Sequence, residues 1–173
     1  QIQSIIPALI QGVVAKLEDN LAVQIQAAKD AHMAATHSES VAEGKYDTFG
    51  LESSYLAQGQ QKRVEEVTVA LHYFKEQLQK ALKLAQNQNL KPNTERQFIE
   101  PLCFIALQND QQSLYFVLGE QAGGLKITFE DKIVTVITPE SPIGKAMNEK
   151  MLGDEIDITL KGQLQTFEVM QIV

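Results

Sequence analysis

The chain has 173 residues, of which 44% are hydrophobic and 21% are charged, and its formal net charge is -7. These proportions fit one or two soluble domains, and the acidic balance excludes a protein that coats nucleic acid regardless of sequence. The single Cys103 cannot form a disulfide within the chain, and its apolar surroundings predict a buried side chain. Because no apolar run approaches about 18 residues and no signal-peptide pattern is present, we expect a cytoplasmic protein without membrane contact.

The first half of the sequence predicts two long helices that form a hairpin. Antiparallel packing would pair Leu17 with Leu71 and Val14 with Phe74, which puts the fold point near Gly44. Helices of about 30 residues would make an arm about 45 Å long. We therefore predict an antiparallel coiled-coil hairpin over 1–85. Its apolar positions recur at steps of three and four: Ile10, Val14, Leu17, Leu21, Ala28 and Ala35, then Val64, Val67, Leu71, Phe74, Leu78 and Ala81 or Leu82.

The hairpin turn is rich in acids, because Glu39, Glu43, Asp47 and Glu52 surround Gly44. A long arm with acids at its tip suggests that carboxylates are presented to a partner. A solvated, well-capped loop has the same composition, and Asp47 is a good helix-capping residue. Both interpretations stay open at this point.

The second half predicts a compact antiparallel sheet with one short helix. An amide-rich stretch containing Pro92 marks a linker over 86–97. Ser141 has the residue type of an N-cap and Pro142 that of a first helical position, so a helical turn should run through Gly144 to Glu149. The fold class is therefore α+β. Five short β-type runs separated by turn residues are predicted, at 102–107, 114–118, 133–137, 156–160 and 166–172.

Three segments of the second half carry a family resemblance. They are SPIGKAM at 141–147, GDEI at 153–156 and FEVMQI at 167–172. Together they resemble the C-terminal domain of the bacterial Gre transcript-cleavage factors, in which an N-terminal antiparallel coiled coil precedes an FKBP-like domain. The resemblance covers nearly the whole chain, and it implies an FKBP-like domain over 98–173.

The resemblance implies a protein that binds bacterial RNA polymerase. Gre factors dock their globular domain on the rim of the secondary channel, a role that would fall to Ser141 and Pro142. Their coiled coil enters the channel, where tip carboxylates help the polymerase to hold a second Mg²⁺, and the polymerase cuts backtracked RNA. The chain would therefore complete another enzyme's site without being an enzyme itself. Its oligomeric state is left open.

The resemblance also suggests which residues would act. Heptad symmetry places Asp47 and Glu43 at the apex, so these are the predicted metal-directed acids, with Glu39 and Glu52 as weaker candidates. Lys62 and Arg63 would lie near the 3′ end of the nascent RNA, although a solvated face of the coiled coil is the commoner reason for such residues.

The tip departs from the family pattern, because 38–52 contains no Asp-x-x-Glu pair. Aligning Glu52 with the family's Glu would put Phe49 where the Asp belongs. The alternative function is therefore a Gre-like protein that occupies the channel without cleavage. A prolyl isomerase and an oligomerisation module, built on the weak seam at Gln24, Ala28 and Ala31, are further alternatives.

Overall fold

The computed structural model describes residues 5–40, 48–86 and 97–173, with side chains over 5–36, 54–86 and 97–173. It confirms the predicted fold class: two long helices, α1 (Ile5–Ser40) and α2 (Thr48–Gln86), form a hairpin, and a mostly antiparallel sheet with one short helix follows. The domain limits 1–85, 86–97 and 98–173 stay a prediction, as does the FKBP-like comparison. No helix in the described ranges has the length and apolar character needed to cross a bilayer.

The chain divides into two compact units. One joins Gln1–Val14 to Tyr73–Val173, so it contains the start of α1, the end of α2 and the sheet. The other is Ala15–His72, which contains the rest of the described hairpin.

Burial supports the predicted apolar seam of the hairpin. Within Ala15–His72, Leu17 and Leu71 are buried. Within the other unit, Val14 and Phe74 are buried as well, and Ala81 is more buried than the exposed Leu82. The apolar periodicity therefore identified the packed face of each helix.

Within 97–173 the sheet has six strands, so the prediction of five was wrong. The strands lie side by side in the order β3-β4-β2-β1-β6-β5. The sheet is also not wholly antiparallel, since β2 and β4 run parallel. The strands are β1 (Phe104–Gln108), β2 (Ser113–Leu118), β3 (Lys126–Phe129), β4 (Lys132–Ile137), β5 (Glu155–Leu160) and β6 (Gln163–Ile172).

The missed strand, β3, is four residues long and joins β4 through a two-residue turn. Glu130 and Asp131 form that turn with φ angles of 47° and 61°. Turns of this kind usually contain Gly or Asn, so their usual signal is missing from the sequence. The strand predicted at 102–107 begins later, because Leu102 has a φ of 65° that ends extended pairing there.

Each face of the sheet is packed within the first unit. On one face Ile105, Phe167 and Val169 form the core with Met147 of the short helix α3 (Pro142–Met147), and Cys103 is fully buried there. On the other face the ends of the hairpin are in contact. A Cβ on Gly12 would lie 3.3 Å from Ile127 Cδ1, and one on Gly119 would lie 2.9 Å from Phe74 Cζ.

Candidate functional site

The predicted tip acids lie at the edge of the described structure. Glu43 and Asp47 fall outside the described residues, as does the predicted fold point at Gly44. Glu39 belongs to α1 and Glu52 to α2, but their side chains are outside the described set. The roles of all four acids therefore stay predictions.

The described part of Ala15–His72 contains a groove between the two helices. Its volume is about 860 Å³, and both α1 and α2 supply its walls. Small side chains make the volume possible, because α1 contributes Ala28 and Ala35 and α2 contributes Ala57 where a tightly packed seam would carry larger residues. The lining residues are Ile25, Ala28, Lys29, His32, Ala35, Thr36, Ser54, Tyr55, Ala57, Gln58, Gln61 and Val64.

The charge around this groove differs from that of the whole chain. The segments that line the groove, 25–36 and 54–64, contain Lys29, Lys62 and Arg63 against one acid, Asp30, and Glu65 and Glu66 follow directly, whereas the full chain has a net charge of -7. Asp30 does not line the groove, and its Oδ1 accepts a hydrogen bond from Gln26 Nε2 at 2.8 Å. Among the described lining residues the ionisable side chains are Lys29, His32 and Tyr55, so none is a carboxylate.

The predicted basic pair is on α2, where Lys62 and Arg63 are both exposed. Lys62 lines a shallow depression together with Gln58, Gly59 and Glu65. The exposure is compatible with an RNA contact and equally with a solvated helix face, so the RNA-proximal role stays a prediction.

The predicted cap at Ser141 is confirmed. Its hydroxyl donates to the Thr138 carbonyl oxygen at 2.7 Å and accepts from the Gly144 backbone N–H at 3.0 Å. Pro142 occupies the start of α3, which ends at Met147 and so before the predicted Glu149. The hydroxyl is therefore used in two internal hydrogen bonds, and docking to a partner through Ser141 and Pro142 stays a prediction.

The turn between β4 and α3 has room only for glycine at position 144. A Cβ at this position would lie 2.0 Å from the Thr138 carbonyl oxygen and 3.0 Å from Pro139 Cα. Both are backbone atoms that cannot rotate away, so only glycine lets α3 begin this close to the end of β4.

An apolar surface beside α3 was not predicted. The segment before β1 pairs with the segment after α3 through a bridge between Phe98 and Met151. The side chains of Phe98, Met151 and Leu152 are all exposed. A cavity of about 290 Å³ also lies next to α3, lined in part by Ile99, Leu118 and Met147. The apolar run 151–152 in the sequence was the available signal for this surface.

The hairpin and the sheet are linked by a polar contact inside the first unit. The Tyr73 hydroxyl accepts a hydrogen bond from the Glu120 backbone N–H at 3.3 Å. Burial raises the pKa of Tyr73 above 10.0; the bond from Glu120 opposes this shift and the Glu120 charge adds to it. Because burial favours the protonated phenol in the fold, the stability of the fold should fall at strongly alkaline pH, where the unfolded chain loses this proton more readily.

The described residues provide no ready metal site of their own. Within 5–36, 54–86 and 97–173, no three side chains among His, Cys, Asp and Glu lie together in a way that could hold an ion. Any metal held through Asp47 and Glu43 would therefore need ligands from the tip or from a partner.

No protein-family model matches the sequence, and no curated protein matches it. Solved structures of similar fold include GreA factor homolog 1 (Gfh1) of Thermus thermophilus, at 15% identity over 92% of this chain and 94% of that one, with a TM-score of 0.35. A structure of the transcription factor Gfh1 has 17% identity, covers 93% of both chains and has a TM-score of 0.38. Gfh1 of Thermus aquaticus has 15% identity over 91% of this chain and 92% of that one, with a TM-score of 0.35.

Proposed function

We propose that this protein is a transcription elongation factor that binds bacterial RNA polymerase in the cytoplasm. Its hairpin would enter the secondary channel, and its sheet domain would dock on the channel rim through the turn at Ser141 and Pro142. The observation that carries the proposal is the combination, in one chain, of a long helical hairpin with an acid-rich turn and a sheet domain that contains the Ser141–Gly144 turn.

In this proposal the hairpin turn acts on the polymerase active site and has no activity alone. Carboxylates suit Mg²⁺, a hard ion with oxygen ligands, so Asp47 and Glu43 are the residues that would hold it jointly with the polymerase. The ion would activate the water molecule that attacks backtracked RNA. The hairpin helices would hold the acids in place, and small displacements of such groups cost rate. Lys62 and Arg63 would contribute a local positive field near the RNA 3′ end.

A second candidate is a regulator that occupies the channel without promoting cleavage. The observation that favours it is the sequence of the turn, in which Glu43 and Asp47 are four residues apart and no Asp-x-x-Glu pair is present. Carboxylates at a different spacing would present their oxygens in a different direction. Occupancy of the channel tolerates that change, whereas cleavage requires the carboxylate oxygens to point in one particular direction.

The test is a transcript-cleavage assay on backtracked bacterial RNA polymerase, with binding to the polymerase measured in parallel. We expect the chain to bind and to shorten the RNA, and we expect Glu43→Ala with Asp47→Ala to abolish shortening while binding changes less than about threefold, because surface substitutions usually cost little stability. The matched control is Glu65→Ala with Glu66→Ala, which removes the same charge from exposed positions on α2.

Each other outcome has a defined meaning. Binding without RNA shortening would favour the second candidate over the first. Loss of binding in the Glu43 and Asp47 variant, but not in the control, would make the turn a docking surface. Failure of the unmodified chain to bind any bacterial polymerase tested would refute both candidates.

A further inference from the structure

The proposed polymerase function assigns no role to the groove between α1 and α2. We propose that it binds a nucleoside phosphate. Its volume of about 860 Å³ lies in the range of about 300–1,000 Å³ that small-molecule sites occupy. The site belongs entirely to Ala15–His72 and does not depend on the proposed function, so it can be tested with the chain alone.

The groove is lined by both apolar and polar side chains. Ile25, Ala28, Ala57 and Val64 provide apolar surface. Their small or branched side chains leave open the space that larger seam residues would fill. Ligand sites likewise combine apolar surface with placed polar groups.

The charge of the groove selects an anion. Lys29 and His32 are three residues apart on one helix face, and both line the groove. No described lining residue carries a carboxylate, although the chain as a whole is acidic. Phosphate oxygens would accept charge-assisted hydrogen bonds from Lys29 Nζ and a hydrogen bond from the His32 ring.

The opposite wall provides groups that suit a planar base. The Tyr55 side chain is 66% exposed and lines the groove, so its ring is accessible for stacking. Gln58 and Gln61 also line this wall, and each amide can donate and accept hydrogen bonds at a base edge. A cationic wall facing a wall with an aromatic ring and amides therefore matches a ligand that has phosphates at one end and a base at the other.

The test is isothermal titration of the full chain with ATP, compared with adenosine and with inorganic tripolyphosphate. We expect ATP to bind more tightly than either fragment, because each fragment engages only one wall. Lys29→Gln should weaken ATP binding about tenfold through the lost charged contact. Tyr55→Leu should weaken it at least about fivefold through the lost stacking.

Two control variants keep the result specific. Lys16→Gln removes the same charge from an exposed position of α1 outside the groove, and Leu56→Ala removes an exposed apolar side chain next to Tyr55; neither should change ATP affinity by more than about twofold. Circular dichroism establishes that every variant is folded. The proposal is overturned if ATP does not bind, if tripolyphosphate binds as tightly as ATP, or if Lys16→Gln weakens binding as much as Lys29→Gln does.

Discussion

Ser141→Ala separates the structural role of the turn between β4 and α3 from a role in docking to a partner. The substitution removes the hydrogen bond to the Gly144 N–H at 3.0 Å and the bond to the Thr138 carbonyl at 2.7 Å. Loss of an N-cap costs about 1 kcal/mol, and a further hydrogen bond contributes about 0.5–1 kcal/mol. Thr138 O keeps the bond from the Ser141 backbone N–H at 3.0 Å, so it is not left unpaired. We therefore expect a loss of about 1.5–2 kcal/mol.

The assay is thermal and urea unfolding of the full chain, followed by circular dichroism. For a chain of this size the expected loss lowers Tm by about 3–8 °C. Ser141→Asn should recover at least half of it, because the Asn side chain can accept from Gly144 N and donate to Thr138 O. Ser113→Ala, at an exposed position at the start of β2, is the matched control and should stay within about 0.5 kcal/mol.

Polymerase binding measured on the same variants decides between the two roles. If the cap is the whole role of Ser141, Ser141→Ala will bind the polymerase normally at temperatures where it is folded. Unchanged stability together with weakened binding would refute the reasoning, because it would show that the hydroxyl acts at the partner surface.

Two further substitutions test the packing of the first unit. Gly144→Ala should lower the free energy of unfolding in urea by more than about 3 kcal/mol, because its Cβ would lie 2.0 Å from the Thr138 carbonyl oxygen. The control Gly59→Ala on α2 has free space around its Cβ and should raise the free energy of unfolding by about 0.5–1 kcal/mol. Equal effects of the two substitutions would contradict the close approach at Gly144. The unmodified chain should lose stability as pH rises above 10.0, because burial raises the pKa of Tyr73 in the fold and the unfolded chain loses this proton first. Tyr73→Phe has no such proton and should lose less stability over the same pH range. Urea unfolding at pH 8 and at pH values above 10 measures this difference, and parallel pH profiles for the two chains would contradict it.

Local signals in the sequence were sufficient for the helices and for the cap. The alternating steps of three and four identified Leu17, Leu71 and Phe74 as buried, because each turn of a helix repeats the same face. Ser141 and Pro142 identified the start of α3, because helix starts use few residue types. Both features depend on residues close together in the chain.

Features that depend on distant residues were not predicted. The parallel pairing of β2 with β4 follows from the position of β3 at the sheet edge, and no local pattern records strand order. The buried Leu9 and Val13 fall outside the single seam that was predicted on α1. The sequence therefore predicted the secondary-structure elements better than it predicted which elements lie next to each other. The groove was missed for a related reason, since Lys29 and Tyr55 line one cavity only because two separate helices face each other there.

Ser141 and Gly144 belong to the segments that resemble the Gre family, but both have structural reasons to occur in this turn, so they indicate little about activity. Gly144 is required because a backbone carbonyl occupies the space of its Cβ, and Ser141 stabilises the turn because its hydroxyl joins Thr138 to Gly144. Any chain that makes this tight turn from a strand into a helix meets the same constraints, whatever its activity. The turn therefore supports the fold, and function has to be argued from side chains that the fold does not need. The proposed polymerase function uses Glu43 and Asp47, and the proposed nucleoside phosphate site uses Lys29 on the groove wall.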